Sequence, residues 1–383
     1  MNNEKNIKEK NMNNEKVLFR AVGDIRVDRD DPDSLMTLVA PTLNDADLTF
    51  GQLEASYSTR GQIAINLTPG FRTDPRNVPA IARAGITVMS VASNHSADYG
   101  HDAFLDTIKY LTENGIRVIG GGKNIAEART PAIFDIKGNK IALLAYNAIL
   151  QPGYEARENK PGMPPLRVKT FYEQLDWQPG TPAKVWTIAN PDDVAAILED
   201  VKKAKALADI VVVNIHWGVH YIVGHLAMYQ IDVGHKVMDA GADVILGHHA
   251  HNLGPIEMYK GKPVFYSLGN FAFDYRTPEE YANDPYIVAQ NELYKLHTDP
   301  KYKATQYPAV SRAEMIVNFS IANKRIERIS FLPVMSNIEG QPEIVSPNSE
   351  DGRQVIALQT ELCKGYNTKL TVDGDEVVLT ATK

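Results

Sequence analysis

Among 383 residues the chain has one cysteine, Cys363. That excludes an intrachain disulfide framework and any Cys-rich zinc site. It also lacks a basic excess: 40 Lys plus Arg stand against 47 Asp plus Glu, a formal charge of -7. A dedicated nucleic-acid binder ordinarily carries such an excess, so no nucleic-acid partner is expected. No apolar run approaches the roughly 18 residues that span a bilayer, so no membrane span is expected. The opening MNNEKNIKEKNMNNEK has no apolar stretch. It reads as a disordered polar leader over 1–16 rather than a signal peptide, and a cytoplasmic location follows as an expectation. The rest is ordinary for a soluble globular protein, 44% hydrophobic and 23% charged. A chain this long buries a sizeable core without staples.

The first half alternates apolar runs with helical patterns. Val17–Val22, Leu48–Leu53, Ile86–Ala92 and Arg117–Ile119 read as strands; Ser34–Leu43, Val78–Ala84 and Asp102–Leu111 read as helices. This βαβα order predicts an α/β fold with a largely parallel or mixed sheet flanked by helices. Ala132–Asp135 and Lys140–Ala145 read as a hairpin. From Gln151 to Ala189, prolines and glycines break the pattern and predict a long loop, functional or disordered. A helix is expected over Pro191–Ala208, then apolar strands Ile210–Ile215 and Val244–Leu246 around a helix near Gln230–Asp239. A second hairpin, Ile256–Tyr259 with Val264–Ser267, precedes a polar, helical-looking stretch, Arg276–Lys303, that reads as a lid. Strands Ala313–Ile321 and Arg325–Val334, a helix Arg353–Cys363 and a VDGD hairpin complete the pattern.

Five of these strands end in side chains capable of metal or acid/base chemistry: Asp24; Glu54; Asn94 with His95; His216; and the run His248, His249, His251. In open α/β sheets ligands bind beyond the carboxyl ends of the strands, so these groups are expected to converge. Carboxylates, a neutral amide oxygen and imidazoles together suit a divalent cation, one or two ions of Mn, Zn, Fe or another metal. His249 and His251 alternate, so an extended backbone there points both the same way. Beside Asn94, His95 is placed as a general acid, with Asp98 orienting its other ring nitrogen. His248 stands evenly between ligand, outer support and second base. Each residue alone also has a structural reading: Asp24 as a helix cap, His216 as a core histidine. Arg26, Arg72 and Lys160 are candidate anion clamps for a substrate carboxylate. His101, His220, His225 and His235 read as structural or surface residues.

The runs VGDI, QLE, SNHSADYG, HWG, GHHAH and YKGKPVFYSLGNFAFD, spread over Val17–Asp274, resemble those of CapA-type poly-gamma-glutamate synthesis proteins, a branch of the calcineurin-like metallophosphoesterases. The resemblance implies a calcineurin-like metallophosphatase sandwich, two mixed sheets with helices outside and a metal centre at the strand ends. It would make 17–340 one domain, with the 151–189 loop and the 276–303 lid as insertions and 341–383 as an extension packed on it. It assigns Asp24, Glu54, Asn94, His216, His249 and His251 as metal ligands and His95 as the acid/base histidine, backed by Asp98. Two departures stand out. Arg26 replaces the histidine of the phosphoesterase Asp-x-His pattern, and Glu54 replaces an aspartate, so one metal position is short of a ligand.

Three functions follow as expectations. The first is a metal-dependent hydrolase or transferase on an acidic or peptide-like amide or ester, connected through the resemblance with poly-gamma-glutamate or capsule metabolism. The second is a peptide epimerase of a ribosomal peptide pathway on the same fold, with His95 and His248 or Asp24 as opposed bases. The third is a non-catalytic accessory subunit. The expected partner is a small acidic or peptide substrate; the sequence leaves oligomeric state open.

Overall fold

Val17–Arg26 is a ten-residue strand whose alternate side chains serve two different cores, Phe19 and Ala21 on one side and Val22 and Ile25 on the other. A strand buried on both faces needs layers on both sides, and the computed structural model supplies them. It describes residues 16–64, 71–275, 285–294, 301–302 and 309–382; the expected leader, apart from Lys16, and most of the expected lid lie outside these. One sheet runs in the order Thr368–Asp373, Glu376–Ala381, Arg325–Ser336, Ala313–Ala322, Val17–Arg26, Leu48–Leu53, Val88–Ser90, Arg117–Ile119. The other runs Ile256–Tyr259, Lys262–Phe265, Val244–His248, Ile210–His216, Asn139–Asn147, Ala132–Ile136.

Both sheets are mixed: the first is antiparallel on one side of Val17–Arg26 and parallel from there to its edge strand Arg117–Ile119, and the second is parallel at the centre with an antiparallel strand at each edge. Their inner faces meet through Phe19, Phe50, Leu143, Val212, Leu246, Phe265 and Phe319. Each fully buried aromatic or aliphatic side chain of this kind contributes about 1.5–3 kcal/mol. Outside the first sheet, Ile81 and Phe104 of helices Val78–Arg83 and His101–Glu113 cover Ile25 and Met89. Outside the second, Val201 of Pro191–Leu207 and Val233 of Met228–Asp239 cover Val211 and Ile245. The two-sheet sandwich with helices on both outer faces is therefore present. Among the described residues no helix is long and apolar enough to cross a membrane.

Several expectations are corrected. The 151–189 stretch is not one loop: Val168–Glu173 and Lys184–Ala189 form an antiparallel ribbon, with Trp186 opposite Phe171. Its strands are rich in β-branched and aromatic residues, and Pro179 and Pro182 fall in the connection between them, where no ladder N–H is needed. The helix expected over Ser34–Leu43 is split into a 3-10 turn, Pro32–Met36, and a short α-helix, Ala40–Asn44. Pro41 supplies no N–H to continue one helix through that point. The first strand runs four residues further than expected, to Arg26, because Asn270–Phe273 pairs alongside Asp24, Ile25 and Arg26. Of the expected lid, the described part includes the helix Pro285–Tyr294.

Two glycines let the strand ends approach one another. A Cβ on Gly23 would lie 2.3 Å from the Gly269 carbonyl oxygen, and one on Gly247 would lie 2.2 Å from that of Tyr266. Both gaps are too small for any side chain.

Glu314, on the strand Ala313–Ala322, is buried, and its Oε2 has no hydrogen-bond partner among the described residues. Burial pushes its carboxyl well up. A carboxyl raised in the folded state contributes most stability below its unfolded value of about 4.3, and that contribution is lost as pH rises through the folded value. Glu314→Gln is therefore expected to be more stable than the parent at pH 8, by about 1 kcal/mol or more. The gain should vanish by pH 4, as read from urea midpoints at the two pH values.

Candidate metal centre

The parallel central strands of both sheets point their carboxyl ends the same way, and the chemistry-bearing residues gather there. Asp24 lies near the end of Val17–Arg26, Glu54 directly follows Leu48–Leu53, and Asn94 follows Val88–Ser90 by four residues. His216 ends Ile210–His216, and His248 sits opposite it at the end of Val244–His248. The ligand atoms of Asp24, Glu54 and His216 lie within 4.8 Å of one another, and so do those of Glu54, His249 and His251. Glu54 belongs to both groups. Asn94 Oδ1 joins them, 2.6 Å from His216 Nε2 and 3.2 Å from His249 Nδ1. All six residues expected to bind metal thus meet in one place.

The extended backbone expected for His249 and His251 is not found. The strand stops at His248, and His249 and His251 have φ of +92° and +56°. Left-handed backbone at a bulky residue is uncommon and costs free energy. Here it turns both imidazoles back onto Glu54.

Electrostatics favour a cation in this cluster. Burial, and then the nearby Asp24 charge, push the Glu54 carboxyl well up. Among the described residues neither of its buried oxygens has a hydrogen-bond partner, and nor does His216 Nδ1. An orphaned buried carboxylate is costly, and a divalent cation satisfies it. Burial lowers His216, His249 and His251, leaving neutral imidazoles with lone pairs to donate. Burial also opposes the charge on Asp24, but the His248 bond and the surrounding imidazoles hold its carboxyl below its ordinary value. The donor set fits a cation of mixed nitrogen and oxygen preference.

His95 stands at the rim, its side chain 17% exposed, with Nδ1 2.7 Å from Asp98 Oδ2. Asp98 is fully buried; its Oδ2 also accepts from Phe71 N at 2.9 Å and its Oδ1 from the Tyr154 hydroxyl at 2.9 Å. The Phe71 ring lies 4.2 Å from that of His95.

The other expected roles find different placements. His248 is fully buried, and its Nδ1 is 3.0 Å from Asp24 Oδ1. It backs the Asp24 carboxylate from within the core and has no exposed surface. Arg26 is fully buried, donates to the Asp274 carbonyl at 2.6 Å, pairs with Asp28 and lies over Phe71. Arg72 donates to the Arg60 and Gly61 carbonyls and stacks on Tyr99 at 3.9 Å. Lys160 donates to the Gly153 carbonyl at 2.7 Å and lies 3.4 Å from Glu155. All three cations are committed to backbone, aromatic or acidic neighbours, so the expected anion clamps are corrected to braces.

Sequence reasoning passed over Asn270, whose Oδ1 is 3.0 Å from His251 Nδ1, although it lies within the quoted run SLGNFAFD. His220, read there as structural or surface, has its ring 5.3 Å from His249 and 5.2 Å from Tyr294. Its signal was the i, i+4 spacing from His216 in HWGVH.

Comparison with known proteins agrees with the motif pattern. The profile of the family described as "Bacterial capsule synthesis protein PGA_cap" matches residues 6–275. The capsule biosynthesis protein CapA of Bacillus anthracis is 30% identical over 280 residues, 69% of this chain and 62% of that protein. The PGA biosynthesis protein CapA of Bacillus subtilis is 30% identical over 245 residues, 63% and 57% of the two chains. A probable polyglutamine synthesis accessory protein of Mycobacterium tuberculosis is 30% identical over 241 residues, 60% and 56%. The chain spans about three fifths of the length of these relatives. Among solved structures, the calcineurin-like phosphoesterase YfkN of Bacillus subtilis aligns over 90% of this chain and 97% of its own, with 14% identity and a TM-score of 0.36. With the profile covering both sheets' central strands and every residue of the cluster, the chain belongs to the bacterial capsule synthesis protein PGA_cap family.

Proposed function

We propose that the chain is a metal-dependent hydrolase or transferase acting on an amide or ester of a peptide-like substrate. The observation that carries this reading is the sharing of Glu54 between two buried ligand groups, with the His95–Asp98 pair at their rim. A bound divalent cation supplies Lewis acidity at the strand ends. Asp24, Glu54, Asn94, His216, His249 and His251 would hold it. Asp98 fixes the His95 ring by taking its Nδ1–H, leaving Nε2 to carry a proton to or from the leaving group. Phe71, against His95, and Phe273, against His251, have ring centroids 6.1 Å apart and line one side of the rim.

The capsule and polyglutamate names of the relatives make a glutamyl polymer or its precursor the first substrate to try. The acidic preference draws no support from Arg26, Arg72 or Lys160, each of which is engaged elsewhere. The epimerase reading needs a base on each face of the reacting carbon; His248, behind Asp24, offers none, and Asp24 is itself among the residues that would hold the cation. The accessory reading is favoured by the name of the Mycobacterium relative.

The deciding experiment loads the purified chain with Mn, Zn, Fe or Ni ions and assays gamma-glutamyl amides and p-nitrophenyl esters, against a chelated control. Cation-dependent turnover lost in His95→Ala supports the hydrolase. No turnover with any ion, together with a His95→Ala chain that still supports polymer synthesis in cells, rejects it for the accessory role.

A further inference from the structure

We propose that Tyr154 is a positioning residue for His95, acting through Asp98, so that the loop after Asn139–Asn147 is a working part of the centre rather than a cover over it. The proposal rests on the reading of His95 as the acid/base group.

Asp98 is fully buried and takes three donors: His95 Nδ1 and Phe71 N on Oδ2, and the Tyr154 hydroxyl on Oδ1. A buried carboxylate keeps its charge only while donors solvate it. His95 lies three positions from Asp98 in sequence and Phe71 twenty-seven. The third crosses 56 positions of sequence to reach Asp98. Among the described residues, Tyr154 is the one side chain bonded to Oδ1. Without that bond, the carboxylate loses the contact that sets its rotation about its own axis. Its hold on the imidazole then loosens.

Tyr154 is built to stay in place. It is 5% exposed and packs in the outer core beside Phe71 and Ala97. Its N–H donates to the Gln151 carbonyl at 3.1 Å, and its carbonyl accepts from Met163 N at 3.0 Å. The preceding carbonyl, of Gly153, accepts from Lys160 Nζ at 2.7 Å and lies 3.2 Å from His101 Nε2. Burial and the Asp98 charge both push the Tyr154 phenol up, so it remains a donor throughout the neutral range. A tyrosine needed only to fill the core would be replaceable by phenylalanine without consequence for Asp98.

The test is proton NMR of the full chain, with His95→Ala used to assign the hydrogen-bonded imidazole N–H. Tyr154→Phe is expected to move that resonance upfield and speed its exchange with water at least about threefold, with divalent-cation affinity unchanged and Tm lowered only by the loss of one buried bond. Where the parent turns over substrate, kcat should fall about tenfold with KM held, the size expected for one bond to a charged group. A folded Tyr154→Phe chain whose resonance and exchange match the parent overturns the proposal. Should that variant not fold, 3-fluorotyrosine at 154 keeps the shape and strengthens the donor. It should slow the exchange, and an unmoved resonance again overturns the proposal. A parent without turnover whose resonance still answers to Tyr154 rejects the hydrolase reading and leaves the positioning role standing.

Discussion

Glu54→Gln is expected to weaken divalent-cation binding by at least about a hundredfold. Among the described residues Glu54 is the one common to both ligand groups, and its two buried oxygens have no hydrogen-bond partner there. Glutamine keeps the size but removes the charge and one of the two donor oxygens. Loss of a full charge facing a buried cation is worth several kcal/mol even after screening, and about 2.8 kcal/mol is already a hundredfold. The metal-free variant should fold at least as well as the parent, because the uncompensated carboxyl has gone. Titration calorimetry and metal content after dialysis read the affinity; urea unfolding reads the fold. Parent-like affinity in Glu54→Gln would place the cation elsewhere, and the chemistry proposed for the strand ends would go with it.

His95→Gln is expected to lower turnover by about 10²–10⁴-fold, the usual contribution of a positioned proton donor, while leaving cation content as in the parent. The two effects separate because His95 is absent from both ligand groups and is bonded instead to Asp98. Asp98→Asn should reproduce most of this loss, since an amide at Oδ2 can present N–H to Nδ1 and favour the wrong tautomer. Activity measurements alongside metal analysis on the same preparations check it. Equal loss of metal and turnover in His95→Gln would show that His95 holds the cation rather than a proton.

The site was more legible in the sequence than the loops around it. Asp24, Glu54, His216 and His248 follow or end apolar runs that can only be buried strands, and a polar group there has few bland explanations. The turn beyond His248 was less legible. Alternation predicted an extended HHAH, but His249 and His251 take left-handed backbone, a choice made by contacts with Asp24, Asn94 and Asn270 rather than by local propensity. The ribbon at 168–189 was hidden by prolines that sit between its strands rather than in them. Charge counting misled for Arg26, Arg72 and Lys160: a cation in a sequence shows no partner, and each finds its partner through chain folding. Tyr154 lies in the proline-rich 151–189 stretch, and its partner Asp98 is 56 positions away in sequence, where no local pattern points to it.

By itself the sequence determined which side chains sit at strand ends, because burial on both faces of a parallel strand demands an unbroken apolar run and confines polar chemistry to where that run stops. Whether those ends meet, which imidazole lies behind Asp24 and which reaches the rim, and which cations already have partners were decided only by the tertiary structure. These depend on contacts of 2.6 and 3.0 Å between residues 248 and 224 positions apart, and pairwise partners at that range leave no trace in local composition.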